Sequence, residues 1–158
     1  MISAVCMNPV NPVHEYIMKS TRRRSREFAL QGLYQWQLAK TDTKTIALNL
    51  AEAWGFDKID ADYFSALLEG TVQHAAVLEQ EIAPCLDRNF NALSPVERGI
   101  LLLAGYELMH RPEVPYRVVI NEAVELAKTY GGTDGHKFVN GVLDKLAARL
   151  RALEVKPV

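Results

Sequence analysis

The chain has 158 residues, 49% of them hydrophobic and 23% charged, with a formal net charge of −1. This composition excludes a disordered tail and suits one domain, or two small sub-bundles, around a packed core. Cys6 and Cys85 are the only cysteines and lie far apart without a CxxC or Cys/His pattern, so neither a disulfide framework nor a structural zinc site is expected, and a reducing cytoplasm fits best.

Residues 1–18 differ from the rest. Asn8-Pro9-Val10-Asn11-Pro12-Val13 is interrupted by prolines and offers little to bury, so these residues are expected to form a disordered extension. They lack a basic region followed by a long apolar run, and the longest apolar stretch, residues 100–104, is far too short for a bilayer. A soluble protein that is not exported is expected. Met18 is a possible second start, and the sequence does not decide between it and Met1.

Lys19-Ser20-Thr21-Arg22-Arg23-Arg24-Ser25-Arg26 then places five cations in eight residues of a nearly neutral chain. Arginine presents a planar, permanently charged fork that suits phosphate oxygens, so the cluster suggests a nucleic-acid contact, with a solvated basic face as the plain alternative. After residue 20 apolar residues recur at spacings of three and four, and five to seven helices are expected. The first should cover about 22–40. Ala29, Leu33 and Trp36 share its core face, while Arg23, Arg24, Glu27, Gln31 and Tyr34 fall opposite. A second helix is expected over 44–54 and a third over 61 to about 82, separated by Gly55-Phe56-Asp57.

Ser94-Pro95-Val96-Glu97 is a helix-start signature: serine caps, proline takes the first helical position, and Glu97 returns a hydrogen bond to the cap. The helix that follows, to about 111, is apolar nearly all round and should be the buried central element. Pro115 opens the next helix and Gly131-Gly132 ends it. Asp134 is a natural cap for the last helix, which carries Phe138, Val142, Leu143, Leu146 and Leu150 and places His136, Lys137 and Asn140 in its first turns, where backbone N–H groups favour anions.

A search for catalytic chemistry finds nothing. The segment from Gly131 to Lys137 lacks the spacing of a phosphate loop, there is no HExxH or nucleophile elbow, and the four histidines are scattered. The reading is a non-enzyme with no cofactor.

Arg22-Arg23-Arg24-Ser25-Arg26-Glu27 with Gln31-Gly32-Leu33-Tyr34-Gln35-Trp36-Gln37-Leu38, then Val114-Pro115-Tyr116-Arg117-Val118-Val119-Ile120-Asn121-Glu122-Ala123-Val124-Glu125-Leu126-Ala127-Lys128, and then His136-Lys137-Phe138-Val139-Asn140-Gly141-Val142-Leu143-Asp144-Lys145 closely resemble the NusB family of bacterial transcription antitermination factors. The resemblance runs in order over residues 20–153. It implies an all-α fold of about seven helices in two sub-bundles, with a NusB-like RNA-binding domain at 19–153 and a tail at 154–158. It further implies binding of the boxA element of nascent RNA together with NusE, a small-subunit ribosomal protein, and indirect action on the RNA polymerase elongation complex in ribosomal RNA operons.

Carried over by position, the resemblance implies that Arg22, Arg23, Arg24 and Arg26 hold RNA phosphates, with Asp134, Lys137 and Phe138 completing the RNA surface. Tyr34 and Glu97 match positions where the family engages or tunes its NusE and RNA contacts. The local chemistry agrees, because single-stranded RNA is read by edge hydrogen bonds and by stacking on aromatics and guanidinium planes. Three alternatives compare with this reading. NusB-like domains also begin RNA cytosine methyltransferases, for which the chain leaves no room; a protein-interaction bundle without RNA contact stays open; and a homodimer could hide the RNA surface.

Overall fold

The computed structural model describes residues 12–157, with side chains from residue 21 onward. Eight α-helices lie among the described residues: α1 (Pro12–Ala39), α2 (Thr43–Leu50), α3 (Ala61–Gln73), α4 (Ala75–Ile82), α5 (Pro95–His110), α6 (Tyr116–Tyr130), α7 (Gly135–Leu150) and the short α8 (Ala152–Val155). No strand occurs among them. Disorder was an expectation for residues 1–18; its first eleven residues lie outside the described part, and the remainder is helical. α1 begins at Pro12, since a proline that cannot continue a helix is well suited to its first position.

The other boundaries follow local chemistry. Asp42 caps α2 and Asp60 caps α3, each accepting from the N–H three residues on, Thr45 and Tyr63. The long third helix breaks at His74 (φ −104°, ψ 12°). Its Nδ1 lies 2.8 Å from the Gly70 carbonyl oxygen, so the side chain competes with the helical ladder there. At α5 the Ser94 hydroxyl accepts from the Glu97 N–H (3.1 Å) and donates to Glu97 Oε1 (3.0 Å). Glu97 thus returns its bond to the cap's hydroxyl rather than to its backbone.

α5 is the axis of the fold. Residues 99–108 are all buried, and α1, α3, α4, α6 and α7 all lie against this helix. α1, α2 and α3 form one sub-bundle, with Phe56 edge-to-face on Phe28 and on Phe64, centroids 5.2 Å apart in each case. α6 and α7 pair tightly and form the other with α4.

Arg151 and Glu154 complete the C-terminal end of α5 and the N-terminal end of α6. Arg151, 9% exposed, donates to the carbonyls of Glu107 (3.2 Å), Leu108 (2.7 Å), Arg111 (3.0 Å) and Val114 (3.0 Å). These include carbonyls that the end of α5 leaves without helical partners. Glu154 accepts from the Tyr116 N–H at 2.7 Å, supplying the cap that Pro115, lacking a side-chain acceptor, cannot. Helical structure therefore runs through Val155, past the expected start of a tail at 154.

Candidate nucleic-acid interface

The arginine cluster occupies the middle of α1, and Ser25 fixes its rotation. This fully buried hydroxyl accepts from the Asp60 N–H (2.9 Å) and donates to the Thr21 carbonyl (2.9 Å). That bond pins α1 to the cap of α3 and sends the four arginines in different directions.

Arg26 goes inward. It is 4% exposed, with Nε 2.8 Å from Glu107 Oε1 and Nη2 2.9 Å from Glu107 Oε2. Tyr63 donates to the same carboxylate and receives Arg26 Nη2 at 3.2 Å. Burial opposes the guanidinium charge, but the bonds and charge of Glu107 outweigh it and hold Arg26 above its ordinary pKa. Burial, then the charge of Glu107, pushes the Tyr63 phenol up. The expectation that Arg26 holds RNA phosphate is corrected here: the side chain is buried, and its Nε and Nη2 are engaged by Glu107 and Tyr63.

Arg22 is half-turned inward. Its guanidinium lies 4.4 Å from the Tyr63 ring centroid and its Nε 3.9 Å from Asp60 Oδ2. Arg23 is more open but forked onto Glu122 of α6, at 2.9 and 3.0 Å. That hydrogen bonding raises its pKa. Arg24 makes no hydrogen bond or ion pair among the described residues, and with Arg23, Glu27, Phe28, Gln31, Trp54 and Gly55 it lines an open groove of about 390 Å³.

The remaining candidates lie at the ends of α6 and α7. Tyr130, 41% exposed, has its phenol pushed up by burial and then by the charge of Glu27. Arg23 and Glu27 line one cleft with Glu122, Glu125, Leu126 and Thr129, so the end of α6 lies beside the arginine stripe of α1. Asp134 follows after the Gly131-Gly132 turn. It adopts a left-handed conformation (φ 62°) and makes no side-chain cap. Instead its carboxylate lies 3.4 Å from Lys137 Nζ. The reading of Asp134 as a side-chain cap is corrected; its backbone carbonyl accepts from the Lys137 N–H. Lys137 is exposed, and Phe138 is half-buried beneath Arg88, whose guanidinium lies 4.3 Å from its ring centroid.

Glu97, at the start of α5, is engaged with the cap hydroxyl of Ser94. Tyr34 is 43% exposed on the stripe of Arg23, Glu27 and Gln31 and forms no hydrogen bond to the other candidates among the described residues. The structure thus sets Arg23 against α6, where it shares a cleft with Glu122, Glu125 and Thr129, gives Phe138 the neighbour Arg88, keeps Arg26 apart, and adds Trp54, Arg88 and Glu122. These three escape sequence reasoning because what marks them is a neighbour distant in the chain. Among the described residues, no group of three or more histidine, cysteine, aspartate or glutamate side chains is placed to hold a metal ion. No helix there is long and apolar enough to cross a membrane.

Together these features define a class: a two-part all-helical bundle built on one buried helix, bearing an arginine-lined, aromatic-flanked face. The NusB family model matches residues 23–148. A transcription antitermination protein NusB from Nitrosospira multiformis is 63% identical, the match covering 82% of each chain. One from Nitrosomonas europaea is 54% identical over 99% of this chain and 94% of its own. A crystal structure of the antitermination factors NusB and NusE in complex with dsRNA superposes with TM-score 0.74 at 26% identity, covering 84% of this chain and 99% of that one. The chain belongs to the NusB family.

Proposed function

We propose that the protein is a transcription antitermination factor that binds boxA-type single-stranded RNA of nascent transcripts together with NusE, and so supports elongation through ribosomal RNA operons. It acts in the cytoplasm, reaches RNA polymerase only through that assembly, and catalyses no reaction. The observation that carries this reading is the packing of the arginine segment of α1 against α6, where Arg23 forks onto Glu122 and shares a cleft with Glu125 and Thr129, on the helix that leads to the turn before Asp134, Lys137 and Phe138. The related structure of NusB, NusE and RNA supports the pairing of a second protein with RNA.

In this reading Arg22, Arg23, Arg24 and Lys137 hold phosphates, Phe138 offers a ring, and Tyr34 and Glu97 engage NusE or tune that contact. A net charge of −1 makes long-range attraction to RNA weak, so NusE supplies much of the affinity. A second reading, a docking bundle without RNA contact, draws on the fact that Arg22 and Arg23 already face Asp60 and Glu122.

The test is boxA RNA binding over a salt series, with and without NusE, for the native chain and for the R22A/R23A/R24A variant. NusE should strengthen binding, and the variant should lose affinity and about 0.7 of salt slope per phosphate contact removed. RNA ignored in every case, with NusE still bound, would establish the docking bundle. A concentration-dependent homodimer that releases on RNA addition would show the same face serving two purposes.

A further inference from the structure

We infer that the groove between the middle of α1 and the turn after α2 is a seat for one unpaired RNA base, stacked on Trp54. The inference rests on the RNA-binding reading above and adds to it a residue that the resemblance does not assign to the RNA surface.

Trp54 is 87% exposed. An indole held in water costs free energy without a partner, and aromatic side chains are characteristic anchors of binding surfaces. Its backbone is nonetheless well fixed. Gly55 takes a left-handed conformation (φ 89°) that a side chain would strain, and Phe56 is clasped between Phe28 and Phe64 in the core. The Phe56 N–H also bonds the Ala53 carbonyl at 3.2 Å. The turn is therefore a rigid mount that presents a large flat ring outward.

The opposite wall belongs to α1. Arg24 passes close to Gly55, and Arg23, Glu27, Phe28 and Gln31 complete the lining of the 390 Å³ groove. Lys58 Nζ lies 5.6 Å from the Trp54 ring centroid. A nucleotide needs this combination: a π-face for the base, cations for its phosphate, and amide and carboxylate groups for the base edge. The volume falls within the roughly 300–1,000 Å³ of small-ligand clefts. An apolar peptide fits worse, because the α1 wall sets Arg23, Arg24, Glu27 and Gln31, all with charged or amide ends, around a single apolar ring, Phe28. A base within a duplex is stacked on its neighbours and cannot enter, so the occupant is single-stranded.

The experiment compares the native chain with W54A and W54F. It measures anisotropy of a labelled boxA-type oligoribonucleotide, single-stranded and annealed to its complement, and separately the affinity for NusE. W54A should weaken single-strand binding about 5- to 150-fold, the equivalent of one base stack. Its salt slope should be unchanged, because no phosphate contact is lost. W54F should retain most of the affinity, and duplex binding should ignore both substitutions. W54A that binds single strands like the native chain, while R22A/R23A/R24A does not, overturns the seat and leaves the RNA reading standing. W54A that loses NusE but not RNA overturns it in favour of a protein-docking ring. A native chain that binds no RNA, with or without NusE, removes both.

Discussion

Arg26 and Glu107 meet in the core as a two-pronged ion pair, Nε to Oε1 at 2.8 Å and Nη2 to Oε2 at 2.9 Å, with both side chains 5% exposed or less. The pair joins α1 to the central helix, and Tyr63 ties α3 to the same carboxylate. Removing one partner leaves the other charged and buried, which costs about 3–5 kcal/mol in comparable sites, whereas replacing both with apolar residues of similar volume is often neutral. R26A and E107A should therefore each destabilise the protein by roughly that amount in urea unfolding, and R26M/E107L should recover most of it. Near-native stability of R26A would show that the pair does not anchor α1 to the central helix.

That pair also marks where the sequence stops being legible. Glu107 stands out as a lone carboxylate in an apolar helix, and Arg26 as one of five clustered cations, but they are 81 residues apart and no spacing couples them. Features coded locally were readable: the Ser94-Pro95 start of α5, the glycine stop of α6, and the exposed stripe of Arg23, Glu27, Gln31 and Tyr34. Features that depend on distant partners were not. Arg88 covers Phe138 and Glu122 occupies Arg23 through tertiary contacts. The break at His74 comes from a ring reaching back to the Gly70 carbonyl, although the apolar period of three and four continues through it.

Arg151 illustrates a second long-range joint. Its guanidinium donates to four backbone carbonyls and to Glu154 Oε1 at 2.7 Å. Hydrogen bonds from a charged donor contribute about 1.5–3 kcal/mol each before overlap, so R151A should lose roughly 2–4 kcal/mol overall. By the usual scaling for a chain of this size, the melting temperature should fall by about 4–16 °C. R151K should recover little, because an ammonium on a flexible stem cannot reproduce the planar fork. A calorimetric scan of the three proteins decides; equal rescue by lysine would mean that charge alone matters.

Glu154 gives stability an acid limb. The Tyr116 N–H bond, then Arg151, holds its carboxyl below the ordinary value of 4.5. A carboxylate with a depressed folded-state pKa binds fewer protons when folded, so its contribution is fully present above about pH 4.5 and lost as the pH falls through the lower folded value. E154Q should be less stable near neutrality and lose less stability on acidification than the native chain. Unfolding midpoints from pH 7 to pH 3 check this, and parallel curves for the two proteins would refute it.

Two glycines in helices should respond to alanine with opposite signs. Gly141 lies inside α7, exposed, with nothing within 4 Å of the methyl position, so G141A should gain about 0.8–1 kcal/mol of helix propensity. Gly70 lies inside α3 against the Tyr106 ring, and a methyl there would overlap Cζ, Cε1 and Oη of that ring. The ring has little freedom to retreat: it is buried, and its centroid lies 6.0 Å from that of His74 and 5.1 Å from that of His110. Overpacking typically costs about 1–3 kcal/mol, and here it must exceed a propensity gain of about 1 kcal/mol, so G70A should be destabilised by up to about 2 kcal/mol. Tyr106→Leu should be costly alone but make G70A tolerable, because the overlapping atoms are then gone and the two substitutions are coupled through direct contact. A chemical-denaturation cycle over Gly70 and Tyr106, with G141A as the reference for propensity, measures this coupling; strict additivity would show that the close approach of Tyr106 is not what requires glycine at this position.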